Sequence, residues 1–297
     1  MGNCRSAAAI AVINFRHWLK DIRVRFLFLF IAYMLFDFLR PFAEYGLASE
    51  TKCTPWLFPY LFHSSNVSIG LMKTLLHAGM LLLLCDAPFF YPATPYMVLR
   101  SKRSGWWIGE SLYIILAAFT YTLFIQVMCI VMVFPVMTIG EEWGDVLIHM
   151  MYGSEQQTAA EITLLYEHYS LPSFAVRYLY PGGAALYSFL TVWGTCTFLG
   201  LLMYLVSLIK RNVVWGIMFA GIFVFLDPLI IRIGLEQSWQ AILSPVTWTD
   251  IEKLHIGMLN RKMFMTIPIA AGMLIGMITV LLIAIWRVSR NAVIELK

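Results

Sequence analysis

Apolar residues run through this chain in long blocks with short polar interruptions. Six blocks, residues 24–44, 69–89, 108–136, 181–209, 213–234 and 264–287, reach the roughly 20 residues that a helix needs to cross a bilayer core. The runs are continuous rather than alternating, so they predict helices and not barrel strands. The third and fourth are long enough to tilt or protrude. Residues 1–23 follow a different rhythm. Ile10, Ile13, Phe15, Trp18, Leu19 and Ile22 interleave with Arg16, Lys20 and Arg23 at roughly helical spacing. That pattern predicts an amphipathic helix lying in the membrane interface.

Two segments between the blocks are long. Residues 137–180 are acidic, with Glu141, Glu142, Asp145, Glu155, Glu161 and Glu167 against Arg177, and read as an external loop. Residues 235–263 contain apolar runs too short to cross, broken at Ser244-Pro245 and flanked by Trp239 and Trp248. They predict short extracellular, re-entrant helices before the last span. The fold class is thus an all-α integral membrane protein. It has an N-terminal interfacial helix (1–23), a six-span domain (24–287) and a short tail (288–297).

Composition sharpens this picture. The chain is 60% hydrophobic and only 13% charged, far from the soluble average of about 25% charged. The net charge of +4 matters less than its placement. With the N-terminus inside, 13 Lys and Arg residues fall in cytoplasmic segments and 5 in external ones. The positive-inside rule therefore puts both termini in the cytoplasm. The expected location is a cell membrane, bacterial in type. Nothing in the charge pattern calls for a nucleic-acid partner. The five cysteines are scattered, without paired spacing, and imply no disulfide framework. The opening "MGNCRS" fits a lipidation pattern at Gly2 and Cys4. No secretory cleavage site follows the first apolar run.

Little conventional chemistry is legible. No lysine follows a glycine, so a nucleotide-binding P-loop is absent and ATP-driven work would need a separate ATPase. The six histidines form no HExxH or paired-His helix. No catalytic, metal or cofactor site is expected in this chain. Glu167-His168 is the nearest approach to a metal or enzymatic cluster. Charges inside the spans are the more informative signal, because each costs about 2.5–3.5 kcal/mol near a helix centre on insertion scales. They are Asp37 and Arg40 in the first span, Lys73 and His77 in the second, and Asp227 and Arg232 in the fifth. All six fall in the outer half and are placed to line a transport path opening outward. Asp37 and Arg40 are spaced i,i+3 and are expected to pair.

One polar knot interrupts the apolar chain, "CDAPFFYPATPYMVLRSKRSGWWIGE", residues 85–110. Pro88, Pro92 and Pro95 stiffen it. Tyr96, Met97, Val98 and Leu99 offer an apolar knob, and Arg100, Lys102 and Arg103 a basic rim. Trp106 and Trp107 stand where an aromatic belt would anchor the third span. Asp86 and Glu110, one at each end, are placed to hold the basic segment by ion pairs.

Six spans, internal termini, an amphipathic N-terminal helix, this short basic loop and the "SPVTW" break at 244–248 together resemble type-2 ABC-transporter permeases. These are the membrane subunits of ABC exporters. The resemblance covers essentially the whole chain; the long segment 137–180 departs from it. It implies a cytoplasmic coupling helix at Tyr96 through Trp107 that docks on the ATPase subunit. It implies a second cytoplasmic contact through the N-terminal helix, with Arg16, Trp18, Lys20 and Arg23. It further implies a homo- or heterodimer of permeases above two ATP-binding subunits, with ATP and Mg bound in those partners, and an amphipathic substrate such as a peptide, lipid or drug. An ion-coupled secondary transporter using Asp37, Asp227 and Arg232, and a membrane-bound processing enzyme using Glu167 or His168, are the alternatives.

Overall fold

A computed structural model of the chain describes residues 2–63, 70–87, 94–140, 142–152, 176, 179–232, 244–254 and 266–291. Among these residues the fold is all-helical, with no strand and one isolated bridge between Cys53 and Met137. The helices are α1 (Gly2–Lys20), α2 (Ile22–Ala48), α3 (Phe58–Leu61), α4 (Leu71–Leu83), α5 (Thr94–Val133), α6 (Asp145–Tyr152), α7 (Pro181–Lys210), α8 (Val213–Arg232) and α9 (Ile267–Asn291). Four segments are long and apolar enough to cross a membrane: Gly105–Val136, Pro181–Lys210, Val213–Ile230 and Ile267–Ser289. They coincide with the last four apolar blocks. The first two blocks form α2, which carries charges along its length, and α4, which has 13 residues.

Local sequence explains the joints. Asp21 separates α1 from α2, and its carboxylate accepts from the Arg23 amide at 2.9 Å, capping α2. α7 ends on Arg211 in the left-handed region (φ 53°). The Asn212 carboxamide oxygen then accepts from the Val214 amide at 2.9 Å and starts α8. So short a connection makes α7 and α8 antiparallel neighbours. Their approach requires Gly216, because a Cβ there would lie 2.2 Å from Ser207 Oγ and 2.5 Å from the Met203 carbonyl.

α7 is the hub of the bundle, packing against α5, α8 and α9. It is buried along most of its length, including Thr191, Thr195, Cys196, Leu199 and Tyr204. α2 and α4 close the other side, with Tyr121 of α5 donating to the Leu76 carbonyl at 2.6 Å.

α5 differs from the expectation. The basic segment is not a connector leading into a span that begins at 108. It is the start of one unbroken helix of 40 residues, about 60 Å long at 1.5 Å per residue. Pro95 falls in its first turn, where proline is tolerated. No further proline occurs until Pro135, just past its end.

The N-terminal segment is helical as its pattern predicts, and α1 lies along α5. Ala7, Ile10, Ala11 and Asn14 form its buried face. Gly109 permits the contact: a Cβ there would sit 2.8 Å from Ile10 Cβ. The "SPVTW" break forms two 3-10 turns, Thr247–Thr249 and Ile251–Lys253, packed inside one end of the bundle rather than on its outside.

Candidate functional site

Two polar constellations stand out, one at each end of the helices. The first joins α1 to α5. Asn14 Nδ2 donates to Glu110 Oε2 at 2.9 Å, and both residues are buried. One turn further along α1, Trp18 Nε1 donates to Tyr113 Oη at 2.6 Å, and Phe15 stacks edge-on against the same tyrosine. Arg23 bridges Asp21 and Asp86 in an exposed cluster. The Arg23 hydrogen bond holds the Asp21 carboxyl below its ordinary value. Arg16 and Lys20 remain exposed. Of the two carboxylates expected to hold the basic segment, whose side chains lie outside the description, Asp86 pairs with Arg23 and Glu110 lies buried beneath α1 with Asn14. Trp106 is not a belt residue. It is 3% exposed and meets Tyr204 of α7 edge-on at 6.4 Å. Tyr96, Met97, Val98, Leu99, Arg100, Lys102 and Arg103 lie on the first turns of α5, where only the backbone is described.

The second constellation is a buried charge cluster. Lys73 of α4 and Asp227 of α8 form an ion pair at 2.7 Å, both with 0% exposure. Thr247 Oγ1 donates to the other Asp227 oxygen at 2.8 Å. His77, one turn below Lys73, donates from Nδ1 to the Lys73 carbonyl at 2.7 Å. Its Nε2 is buried with no hydrogen-bond partner among the described residues. Phe62 packs edge-on against the imidazole. Beside this, His63 Nδ1 lies 3.2 Å from Asp250 Oδ1, and Lys253 Nζ lies 3.9 Å from Asp250 Oδ2. Burial alone would push the Asp250 carboxyl up. The His63, Lys253 and Lys73 charges outweigh it and hold the group well below the usual carboxylate range.

The turns from Ser244 to Leu254 tie this cluster to the bundle. Ser244 Oγ donates to the Phe223 carbonyl of α8 at 3.1 Å, and Thr195 Oγ1 of α7 donates to the Pro245 carbonyl at 3.2 Å. Asp227 precedes Pro228, which removes one backbone hydrogen bond from α8 beside the pair.

Of the six charges in apolar blocks singled out from sequence, the structure gathers three: Lys73, His77 and Asp227. Asp37 and Arg40 are on the exposed side of α2 and do not join them. Arg40 pairs with Glu44 at 2.6 Å rather than with Asp37. The backbone of Arg232 belongs to α8, but its side chain lies outside the description. Glu167 and His168 lie outside the described residues. Sequence reasoning missed Asn14, His63, Thr247 and Asp250. Among the described residues no group of His, Cys, Asp and Glu could hold a metal. Burial pushes the Cys53 thiol up to about 12, an unreactive state.

An apolar cleft of about 740 Å³ opens between α7 and α9, lined by Ile115, Tyr187, Trp193, Thr197, Ile267 and Ile278. Compared with protein families, curated proteins and solved structures, the chain matches none of them.

Proposed function

We propose that this chain is the membrane permease subunit of an ATP-driven exporter, working with a separate ATP-binding subunit. The observation that carries the reading is the continuity of α5. Its basic first turns and its membrane-crossing part are one helix, with α1 clamped along it through Asn14, Trp18 and Ile10. A push on residues 96–103 moves the whole helix, because a continuous helix with a docked neighbour has no hinge in which to absorb the displacement. In this reading α2 and α4 complete six spans, with both termini in the cytoplasm. Residues Tyr96 to Trp106 meet the ATPase, and the exposed Arg16, Lys20 and Arg23 flank that contact. Two permease copies form the translocation unit. The α7–α9 cleft suits an amphipathic cargo such as a lipid, peptide or drug.

The test is purification of the chain from its native membrane. A co-purifying P-loop ATPase whose turnover drives transport is the expected result. Transport by the isolated chain on an ion gradient, without nucleotide, overturns the reading.

A second reading, an ion-coupled transporter, draws on the buried Lys73–Asp227–His77 cluster. Intramembrane ion pairs of this kind occur along ion pathways. Proton-coupled uptake that disappears in Asp227→Asn, in a membrane with no partner ATPase, is what that reading requires.

A further inference from the structure

α7 and α9 run in the same direction, since α8 returns between them. They meet at Gly194, where a Cβ would lie 3.3 Å from Leu274 Cδ1. The cleft of about 740 Å³ is built around that contact, between two helices long and apolar enough to cross a membrane. It follows α9 from Ile267 to Ile278 and α7 from Tyr187 to Thr197, a length of about 16 Å at 1.5 Å per residue. One leaflet supplies half of a hydrocarbon core that is about 30 Å thick. The slot therefore has the depth of one leaflet. Tyr180 is exposed and Trp56 lies beside Gly182, both at the end where α7 begins. Aromatic side chains gather in this way at the membrane–water boundary. Leu190 and Ile275, on the rim, are exposed, so the slot opens sideways toward hydrocarbon.

We propose that this slot holds the two acyl tails of a membrane lipid drawn from that leaflet. Size and chemistry decide the occupant. Spread over its length, the volume gives a cross-section of about 46 Å², about 8 Å across, whereas a helix with its side chains needs about 10–12 Å. No helix of another subunit or of a second copy fits. An extended peptide is narrower, but it brings a backbone donor and acceptor with nearly every residue, and these need partners away from water. The lining has few to offer. Thr191 Oγ1 already donates to the Tyr187 and Ser188 carbonyls at 3.0 Å, and Trp193 Nε1 to the Ile115 carbonyl at 3.1 Å. Thr197 Oγ1 is buried with no hydrogen-bond partner among the described residues. A single hydroxyl does not satisfy a peptide backbone. No Asp, Glu, Lys, Arg or His lines the slot, so the charge of a cationic compound would go unpaired there. Acyl chains need no polar partner. Two of them side by side, with carbons about 4 Å apart, fill a width of about 8 Å. The headgroup then stays at the Tyr180 end, in water.

The assignment narrows the cargo named above to one class and, as cargo, rests on the exporter reading; occupancy of the slot does not. Full-length chain is placed in vesicles of phosphatidylethanolamine and phosphatidylglycerol with a trace of phospholipid carrying a diazirine midway along one tail. Illumination is expected to attach lipid to the α7 and α9 residues of the slot well above the level on the exposed face of α8, at Ile222 and Phe225. Ala271→Trp puts an indole into the slot. It is expected to lower that labelling about tenfold, equivalent to about 1.4 kcal/mol in occupancy. Gly272→Trp is the control: its site has open space around it and is not part of the lining, and labelling should persist. Labelling no stronger in the slot than on α8, or unchanged in Ala271→Trp, overturns the proposal. A photoactivatable sterol that labels the slot in place of the phospholipid overturns it too. Slot labelling in a chain that transports on an ion gradient without nucleotide keeps the lipid site and removes the exporter reading. ATP-driven export by a chain whose slot takes up no lipid does the reverse.

Discussion

Lys73 and Asp227, on helices α4 and α8, form a fully buried ion pair at 2.7 Å whose second carboxylate oxygen is bonded by Thr247. Removing one partner of a buried pair strands the other charge and costs about 3–5 kcal/mol, whereas replacing both with apolar groups of similar size is often neutral or better. Lys73→Met and Asp227→Asn are therefore expected to lower the unfolding temperature of the detergent-solubilised protein sharply. Lys73→Met with Asp227→Leu is expected to recover most of the loss. The same double variant separates stability from function. If the pair only holds α4 to α8, transport survives in it; if the charges act in transport, stability returns and transport does not.

Asp250 gives the pH prediction. Its carboxyl is held below its unfolded value by His63, Lys253 and Lys73. A depressed carboxylate contributes stability that is fully present above the unfolded pKa of about 3.9 and is lost as pH falls towards the folded value. Wild type should therefore hold its full stability advantage over Asp250→Asn at about pH 5. That advantage should shrink steadily below about pH 4. Thermal unfolding of both proteins across pH 3 to 7 checks it; a difference that stays constant to pH 3 removes the carboxylate from the account.

The α1–α5 clamp depends on a missing side chain. Gly109→Leu drives a side chain into Ile10 and the Ala7 carbonyl, and overpacking of this kind costs about 1–3 kcal/mol. The expected outcome is that α1 lifts, so trypsin cuts at Arg16 and Lys20 faster than in wild type. Glu110→Gln keeps an acceptor for Asn14 Nδ2 and should leave cleavage near the wild-type rate. Equal protection in Gly109→Leu would mean that α1 is held by other contacts.

These tests fall where the sequence spoke least. Charges in apolar blocks are legible because they are costly, so Lys73, His77 and Asp227 were identifiable from sequence alone. Their pairing was not, because sequence distance favours Arg232 for Asp227 while the fold brings α4 beside α8. The same preference for near neighbours assigned Arg40 to Asp37, where helix geometry gives it Glu44 one turn on. The polar knot at 85–110 read as a rigid loop because prolines and cations break apolar runs. Those signals mark only its first half; beyond Pro95 nothing stops a helix, and α5 runs through. His63 and Asp250 carried no signal at all, since polar residues between spans look solvated until the turns fold inward. The helical class and the last four apolar blocks needed only length and hydropathy.

Continuity of α5 leads to the last prediction. If residues 96–103 transmit force, two kinds of change should uncouple the protein in different ways. Arg103→Glu reverses a charge on the basic rim and leaves the helix intact. It is expected to weaken association with the ATP-binding subunit, while membrane insertion and thermal stability stay at wild-type levels. Ser104→Pro leaves every basic side chain in place and breaks the helix between the rim and the span. An interior proline costs about 3 kcal/mol of helix stability and removes a backbone hydrogen bond. Because α1 still holds the helix from Gly109 to Tyr113, the break should stay local. The subunit should then bind its ATPase normally and fail to couple hydrolysis to transport. Association measured by co-purification, and coupling by nucleotide-dependent transport in vesicles, separate the two variants. Wild-type coupling in Ser104→Pro would mean that the continuity of α5 plays no part in transmission.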